Sequence, residues 1–497
     1  MNNSKLLKKF VFSLSLVFTL LMSSSCFAQS KVYTKNGLPD NKVSNYNYER
    51  SIKDVFEFIQ QNYVDEVDPK VLYEGALKGM LDSLGDPYTV YLDSDYMRDL
   101  NDTTSGSFGG VGLTISKPVE STPEKPAYVL VSTPIEDGPG AKAGIRAGDY
   151  IIEINGDSTI TMTMNEVLQK LRGKIGESVK VTILRGQNVR FEVELVRALI
   201  EVPTAKYGMI ENTKIGYIRL IEFTPETANK LQDAVNLFEK NNYNSMIIDL
   251  RDNPGGLLTS VVNVADKFID NGTIVSTRSR LSAQGEVFSA SSKKTTVKKD
   301  IPIIVLINRG SASASEILAG ALKDYHLAYL VGERTYGKGS VQQVLNLSSV
   351  DGFKITMARY YTPSDVNIDK IGIPPDREIL LFPELSKEEE EKYLELINSG
   401  VIEKQCKSNP NMTESEVKVR AYNLSEKYGI EARMIRKLYR NELEKLKDSP
   451  LYDLDFDIQL QEAINIINKG DFKSLMKSAK TLKQLQDEVE KDQKEKK

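Results

Sequence analysis

The feature that most constrains the fold of this 497-residue chain lies between positions 213 and 363, where short apolar runs alternate with helix-patterned segments. KIGYIRLIEF, SMIIDLRDNPGG, DIPIIVLINRG, LAYLVG and GFKITMARYYTP read as strands. PETANKLQDAVNLFEKNN and SASASEILAGALKDY read as amphipathic helices between them. A strand with apolar residues at consecutive positions must be covered on both faces, so the alternation predicts a sheet covered by helices. In such layers reactive groups sit on the loops beyond strand ends.

On either side the period changes. From Tyr46 to about Tyr91 apolar residues recur at helical spacing, as in Ile52, Val55, Phe56 and Ile59 and then Leu72, Ala76 and Met80, until Gly85, Asp86 and Pro87 end the pattern. A small helical region is expected, packed on its neighbour or on a second copy. From Ser105 to about Val196 the pattern is one of short strands and turns. GSFGGVGLTI sets a glycine-rich loop before a strand, Asn155-Gly156 closes another, MNEVLQKLRG is one helix, and VKVTILRGQNVRFEVEL alternates about a turn as a hairpin does. The glycine loop is not a dinucleotide fingerprint, because the third glycine of GxGxxG is missing and no βαβ unit follows. A glycine loop beside a strand edge can offer N–H groups to a carboxylate, and the edge can take up a peptide as an extra strand. Past about position 382 the segments are charged and helical in spacing, without a sustained heptad. The expected divisions are a leader (1–28), an N-terminal helical region (29–97), the β-rich domain (98–198), an α/β core (199–382) and a helical C-terminal extension (383–497).

The leader carries Lys5, Lys8 and Lys9, then the apolar run VFSLSLVFTLLM, then small residues up to Ala28. This is the pattern of a secretory signal peptide cleaved after Ala28. The run is short for a membrane span, although a retained segment would act as an anchor. The protein is therefore expected to be secreted or held outside the cytoplasm in the bacterial envelope. Cys26 would leave with the leader; lipid attachment there would normally want Leu where Ser23 stands. Cys406 then has no partner for an internal disulfide, and the fold rests on its core. Net charge is -4 from scattered charges of both signs, with no basic stripe, so nucleic acid is not an expected partner.

Chemistry concentrates in two loops. Ser311, Ser313 and Ser315, interleaved with alanine, open a helix directly after a buried strand. Serines there are ordinarily caps, yet small residues before a helix N-terminus also leave room where N–H groups favour a developing negative charge. A serine nucleophile needs a base. The single histidine, His326, follows Ser313 by thirteen residues, roughly 20 Å along a helix, so a Ser-His-Asp triad is not expected and His-based metalloprotease motifs are excluded. A lysine remains, and it works as a base only when burial lowers its pKa. Lys338 in GERTYGKGS, between Gly337 and Gly339 and followed by Val341, Val344 and Leu345, fits that need. The same stretch resembles a phosphate loop, but Gly339 stands where the magnesium-binding Ser or Thr belongs, and VQQVLNL continues as a strand. No nucleotide is expected.

The β-rich segment resembles a PDZ domain, with Gly110, Val111, Gly112 and Leu113 as its carboxylate-binding loop and AGIRAGDYIIEINGD following it. The whole, over roughly residues 45 to 380, resembles the carboxyl-terminal processing peptidases, or tail-specific proteases. The resemblance is carried by YVDEVDPKVLYEGALKGMLDSLGDPYTVYLD, DLRDNPGG, GSASASEILAGAL, GERTYGKGSVQ and IGIPPD. It implies a multidomain α/β protein with a crotonase- or ClpP-like peptidase core, a PDZ domain and helical N- and C-terminal regions. It implies a serine endopeptidase with Ser313 as nucleophile, Lys338 as general base and Gln342 orienting the base. The oxyanion hole would come from the N–H groups of Ala314 and of a glycine that the sequence leaves open, Gly255 or Gly256. Arg172 would couple tail binding to the active site. Partners would be proteins with accessible C-terminal tails, with a homodimer through the helical termini, and no metal or cofactor. A tail-binding scaffold of the same fold without activity is the alternative, and the presence of Ser313, Lys338 and Gln342 together argues for the enzyme.

Overall fold

The computed structural model describes residues 47–495, apart from positions 95, 99, 101–105, 119–126, 136–137, 147, 187, 202, 283–284, 382–385 and 445–449. The leader, with its expected cleavage at Ala28, lies outside the described residues. The chain divides into one unit up to Gly79 and another from Met80. Helix α1 (Tyr48–Asn62) starts where the Asn47 side chain accepts the N–H of Arg50, and α2 (Pro69–Asp82) follows. Helix α2 stops at Asp82, just before Gly85, Asp86 and Pro87, and Val90–Leu92, inside the expected helical region, forms strand β1.

The β-rich domain begins with β2 (Ser107–Gly110), β3 (Leu113–Ser116) and β4 (Val129–Pro134), then a short helix α3 (Pro139–Lys142). It continues with β5 (Tyr150–Ile154), β6 (Asp157–Ser158), α4 (Met164–Leu171), β7 (Ser178–Arg185), β8 (Val189–Val196) and β9 (Ala198–Glu201). Strands β3-β4-β5-β7-β8 form one antiparallel sheet, and β2 pairs with β9. Val179, Val181 and Ile183 of β7 meet Val129, Ile151 and Val167 in a core of its own. Helix α4 is fixed at its start by a reciprocal cap: the Thr163 N–H donates to Glu166 Oε2 at 2.6 Å and the Glu166 N–H to Thr163 Oγ1 at 3.2 Å.

The α/β core contains β10 (Ala205–Met209), β11 (Ile215–Leu220), α5 (Thr227–Lys240), β12 (Ser245–Asp249), α6 (Leu258–Ala265), β13 (Asn271–Arg278) and β14 (Glu286–Ser291). After these come β15 (Ile303–Ile307), α7 (Ala314–Asp324), β16 (Tyr329–Gly332), β17 (Ser340–Asn346), β18 (Gly352–Tyr361) and β19 (Arg377–Glu378). The main sheet runs β10-β11-β12-β15-β16-β19 and is parallel except at β10. Its register sets Asp249 beside Leu306 and Ile307 beside Gly332. The loops after β12, β15 and β16 therefore leave the sheet at one level, on its C-terminal edge. The expected strand GFKITMARYYTP does not join this sheet. As β18 it belongs to a second sheet with β1, β13, β14 and β17, and its burial is partial and alternating where that of β12 and β15 is complete.

The helical C-terminal extension comprises α8 (Lys387–Asn398), α9 (Val401–Ser408), α10 (Glu414–Tyr428), α11 (Ala432–Glu444), α12 (Ile458–Lys469), α13 (Phe472–Ser478) and α14 (Leu482–Glu495). Helices α8 to α11 have their own core, which includes Cys406, Ala421 and Tyr439. Helix α12 does something else. Leu460, Ala463 and Ile466 pack on Tyr217, Ile247, Ile304 and Leu306, while Ile248 and Val305 face the opposite core with Leu231, Val264 and Leu318. This helix is the cover that the fully apolar strands require on their second face.

Candidate active site

The turn after β15 and the first residues of α7 carry the three serines, and the structure separates their roles. Ser311 Oγ donates to the Leu250 carbonyl at 2.8 Å, and Ser315 Oγ donates to the Asn253 carbonyl at 3.0 Å. Both fasten this turn to the DNPGG turn after β12. The Ser313 hydroxyl has no protein acceptor among the described residues. Its backbone sits at φ 54°, ψ -112°, a region sparsely populated by residues other than glycine and costing on the order of 1 to 3 kcal/mol. That strain is held by surrounding bonds, and it presents the hydroxyl at the mouth of α7. The Ala314 N–H, the first of the helix, has no partner among the described residues.

Glu316 organises what lies around Ser313. It is fully buried, and its carboxylate accepts four donors. Oε2 takes the N–H of Ser313 at 2.9 Å and of Lys338 at 2.8 Å; Oε1 takes Thr335 Oγ1 at 2.6 Å and the Gly337 N–H at 2.7 Å. One carboxylate thus joins the serine turn to the GERTYGKGS loop. Burial pushes its pKa up against the pull of these donors. The Tyr360 hydroxyl braces the same pair by reaching the carbonyls of both Ser313 and Lys338. Sequence reading missed Glu316, although a Glu three residues after an N-cap serine is the capping-box spacing.

Lys338 is half-buried and makes no ion pair among the described residues. Its pKa is lowered chiefly by burial and further by the Lys354 ammonium, against the opposing charges of Glu316 and Asp86. The Nζ atom lies over the ring of Tyr88, 4.9 Å from its centroid. Lys323 is the instructive contrast: it is more deeply buried, 2% exposed, but it is paired with Asp376 of IGIPPD. Burial without a carboxylate partner favours the free amine.

The two glycines of DNPGG differ. A Cβ on Gly255 would stand 2.8 Å from Ser313 Cβ and 3.0 Å from the Ala314 nitrogen, so only glycine fits against the serine. The Gly255 N–H is already spent on Asn253 Oδ1 at 2.9 Å. Gly256 bridges Phe223, with the Phe223 N–H bonded to the Gly255 carbonyl and the Leu257 N–H to the Phe223 carbonyl. Its own N–H has no partner among the described residues.

Gln342, at the start of β17, donates from Nε2 to Ser340 Oγ at 2.9 Å and to Thr356 Oγ1 at 3.3 Å. His326 lies in the turn after α7, where its N–H bonds the Lys323 carbonyl. In the β-rich domain Gly110 ends β2 and Leu113 opens β3, with Val111 buried and Gly112 at φ +67° between them. The Val111 and Gly112 carbonyls are taken by the N–H groups of Gly140 and Ile135. Arg172 ends α4 and stacks 4.6 Å from the ring centroid of Phe108, on the strand leading into that loop.

Comparison with known proteins decides the family. The profile described as Peptidase family S41 matches residues 214–379, that of a PDZ domain matches 130–185, and that of the activating protease CtpB N-terminal domain matches 18–96. A carboxy-terminal-processing protease of Bartonella bacilliformis is 39% identical over 376 residues, covering 75% of this chain and 82% of its own. The chain belongs to the carboxy-terminal processing protease family. It is a serine-type peptidase with a PDZ domain. CtpA of Bacillus subtilis, also a carboxy-terminal processing protease, is 35% identical over 320 residues, 64% of this chain and 66% of its own. Among solved structures, the photosystem II D1 C-terminal processing protease is similar at 30% identity and a TM-score of 0.40, covering 67% of this chain and 94% of that one.

Proposed function

We propose that this peptidase cleaves proteins in their C-terminal region, after its PDZ domain has gripped the tail, through a Ser313–Lys338 acyl-enzyme mechanism. The observation that carries the reading is the single Glu316 carboxylate bonded to the N–H groups of both residues. In the first step Ser313 Oγ attacks the scissile carbonyl carbon and its proton passes to the neutral Lys338 amine. The resulting ammonium then protonates the leaving amine as the C–N bond breaks, which restores the base. Water attacks the ester by the same proton path and frees Ser313. The tetrahedral oxyanion is met by the Ala314 N–H and by that of Gly256, the turn glycine with an uncommitted donor. Gln342 sits one residue from β17's Val341 and serves to hold the base's surroundings through Ser340 and Thr356.

Tail capture falls to the loop Gly110, Val111, Gly112 and Leu113, and Arg172, stacked on Phe108, relays it to the core. The segment 1–28 is a signal peptide that sends the enzyme out of the cytoplasm, and the helical termini form a homodimer surface. The proposed domain limits are 29–97, 98–198, 199–382 and 383–497.

The test is a mass-spectrometric time course on an unfolded protein, offered with a free and with an amidated C-terminus, to the parent, Ser313→Ala and Lys338→Ala. Cleavage by the parent alone, faster on the free carboxylate, is the expected result. Cleavage by Lys338→Ala at the parent's rate would remove the base assignment, and equal rates on both tails would remove tail capture.

A further inference from the structure

Resting on the Ser313–Lys338 reading, we infer that Tyr88, on the loop Gly85–Thr89 well before the peptidase core, is a positioning residue that covers the Lys338 amine, fixes it and keeps water from it. The geometry is specific. The amine lies over the ring face at 4.9 Å from the centroid, and no carboxylate pairs with it among the described residues.

The loop is fastened on both sides of the tyrosine. Asp86 accepts the Tyr88 N–H at 3.1 Å and Thr89 Oγ1 at 2.6 Å, a local turn that sets the direction of the ring. Thr89 Oγ1 in turn accepts the Thr356 N–H at 3.1 Å, and β1 pairs with β18 with Val90 beside Lys354. Burial, with the Tyr336 phenol of the lysine's own loop and the Asp369 and Asp86 carboxylates nearby, pushes the Tyr88 pKa up to about 12, so the ring stays neutral. The GDPYT segment is therefore a wall of the base's pocket, built into the second sheet.

The charged and titratable groups facing the amine are Lys354 from β18, Glu316 from α7 and Asp86 from the same loop, with Tyr88 itself. Lys354 opposes a second cation, while Glu316 and Asp86 favour one. Loss of hydration is the largest influence, and the ring supplies part of it. A ring face attracts a cation, but less strongly than the water it displaces, so removing the ring favours the ammonium.

The experiment is the pH profile of kcat and kcat/KM on an internally quenched peptide for the parent, Tyr88→Phe, Tyr88→Ala, Asp86→Asn and Lys338→Ala. Tyr88→Ala is expected to lose about tenfold or more in kcat at neutral pH. KM should change little, and the rising limb should move to higher pH so that the gap narrows in alkali. Tyr88→Phe, which keeps the ring, returns the limb toward the parent's position. Asp86→Asn, which removes an anion that favours the ammonium, moves it to lower pH. A Tyr88→Ala limb that superimposes on the parent's after scaling overturns the inference, since a merely structural loss lowers the whole profile without moving it. Where circular dichroism shows Tyr88→Ala unfolded, Tyr88→Gln fills the space, admits water and carries the same two outcomes. An active Lys338→Ala overturns the Ser-Lys reading instead, so the two failures are distinguishable.

Discussion

Four donors converge on the buried Glu316 carboxylate, and three of them are backbone N–H groups that can only donate. Glu316→Gln keeps the shape but turns an NH2 group toward N–H donors. An unsatisfied buried donor costs about 1 to 3 kcal/mol, and here the cost falls on the turns that hold Ser313 and Lys338. The expected outcome is a loss of about a hundredfold or more in kcat with a folded chain, checked by steady-state kinetics beside a melting curve. Gly255→Ala sets a methyl group 2.8 Å from Ser313 Cβ. It should abolish cleavage, and unreduced activity would show that the turn moves away from the serine. The sign of the pH dependence follows from Lys338. Burial and Lys354 disfavour its ammonium, so the fraction of neutral base, and with it the rate, should rise with pH and level off below the value an ordinary lysine would need. Acid should be doubly harmful, because burial holds the Glu316 carboxyl above its ordinary range and protonation removes an acceptor from the site.

Among the elements, β12 and α12 are joined in a way that reaches the DNPGG turn. Arg251, the second residue after β12, lies between Asp249, which takes its Nε at 2.9 Å, and Asp457, which takes Nη1 at 2.8 Å and Nη2 at 2.6 Å. Asp457 also accepts the N–H of Leu460 and so caps α12, while Gln459 Oε1 adds a bond to Arg251 at 3.0 Å. Two carboxylates and an amide thus fix the residue from which DNPGG departs. Asp457→Ala should cost about 2 kcal/mol, read as a lower Tm, and should lower kcat more than it raises KM because the turn loosens. An unchanged Tm would show the clamp to be idle. This element also marks where the sequence ran out. The buried strands around Ile247, Val305 and Val331 were legible because consecutive apolar residues demand two covers, and the helix of Ile317 and Leu318 because of its period. That α12 supplies the second cover, from far beyond these strands in the chain, leaves no local pattern. Nor does the step of Tyr88 onto Lys338, since a single aromatic in a turn reads the same wherever it points. Lys338 was singled out by the glycines and apolar residues around it, whereas the choice of Ser313 among three serines and the part given to the DNPGG turn came only from the family resemblance, because small residues and glycines at strand ends serve as caps and turns as readily.

For the molecule as a whole, the PDZ domain and the peptidase core meet near the chemistry. A Cβ on Gly106, just before β2, would lie 3.1 Å from Thr224, and the neighbouring Phe223 is bonded to the strand of Gly255 and Leu257. Phe108, under Arg172, is two residues further along the same β2. Packing and backbone hydrogen bonds therefore link the segment leading into the Gly110–Leu113 loop to the DNPGG turn. Arg172→Ala should reduce cleavage of a substrate with a free tail by about fivefold or more while leaving a short untailed peptide less affected. Equal losses on both would assign the arginine to stability alone.

The central claim is that Lys338, as a neutral amine, takes the proton of Ser313. It is tested most directly by the rate at which a serine-directed fluorophosphonate modifies Ser313, followed by intact mass across pH 5 to about 10 for the parent and Lys338→Ala. The expected result is modification of Ser313 that rises with pH along the titration of a lysine lowered by burial, and that slows by about a hundredfold or more without it. Modification of Ser313 at the same rate and with the same pH dependence in both proteins would contradict the account.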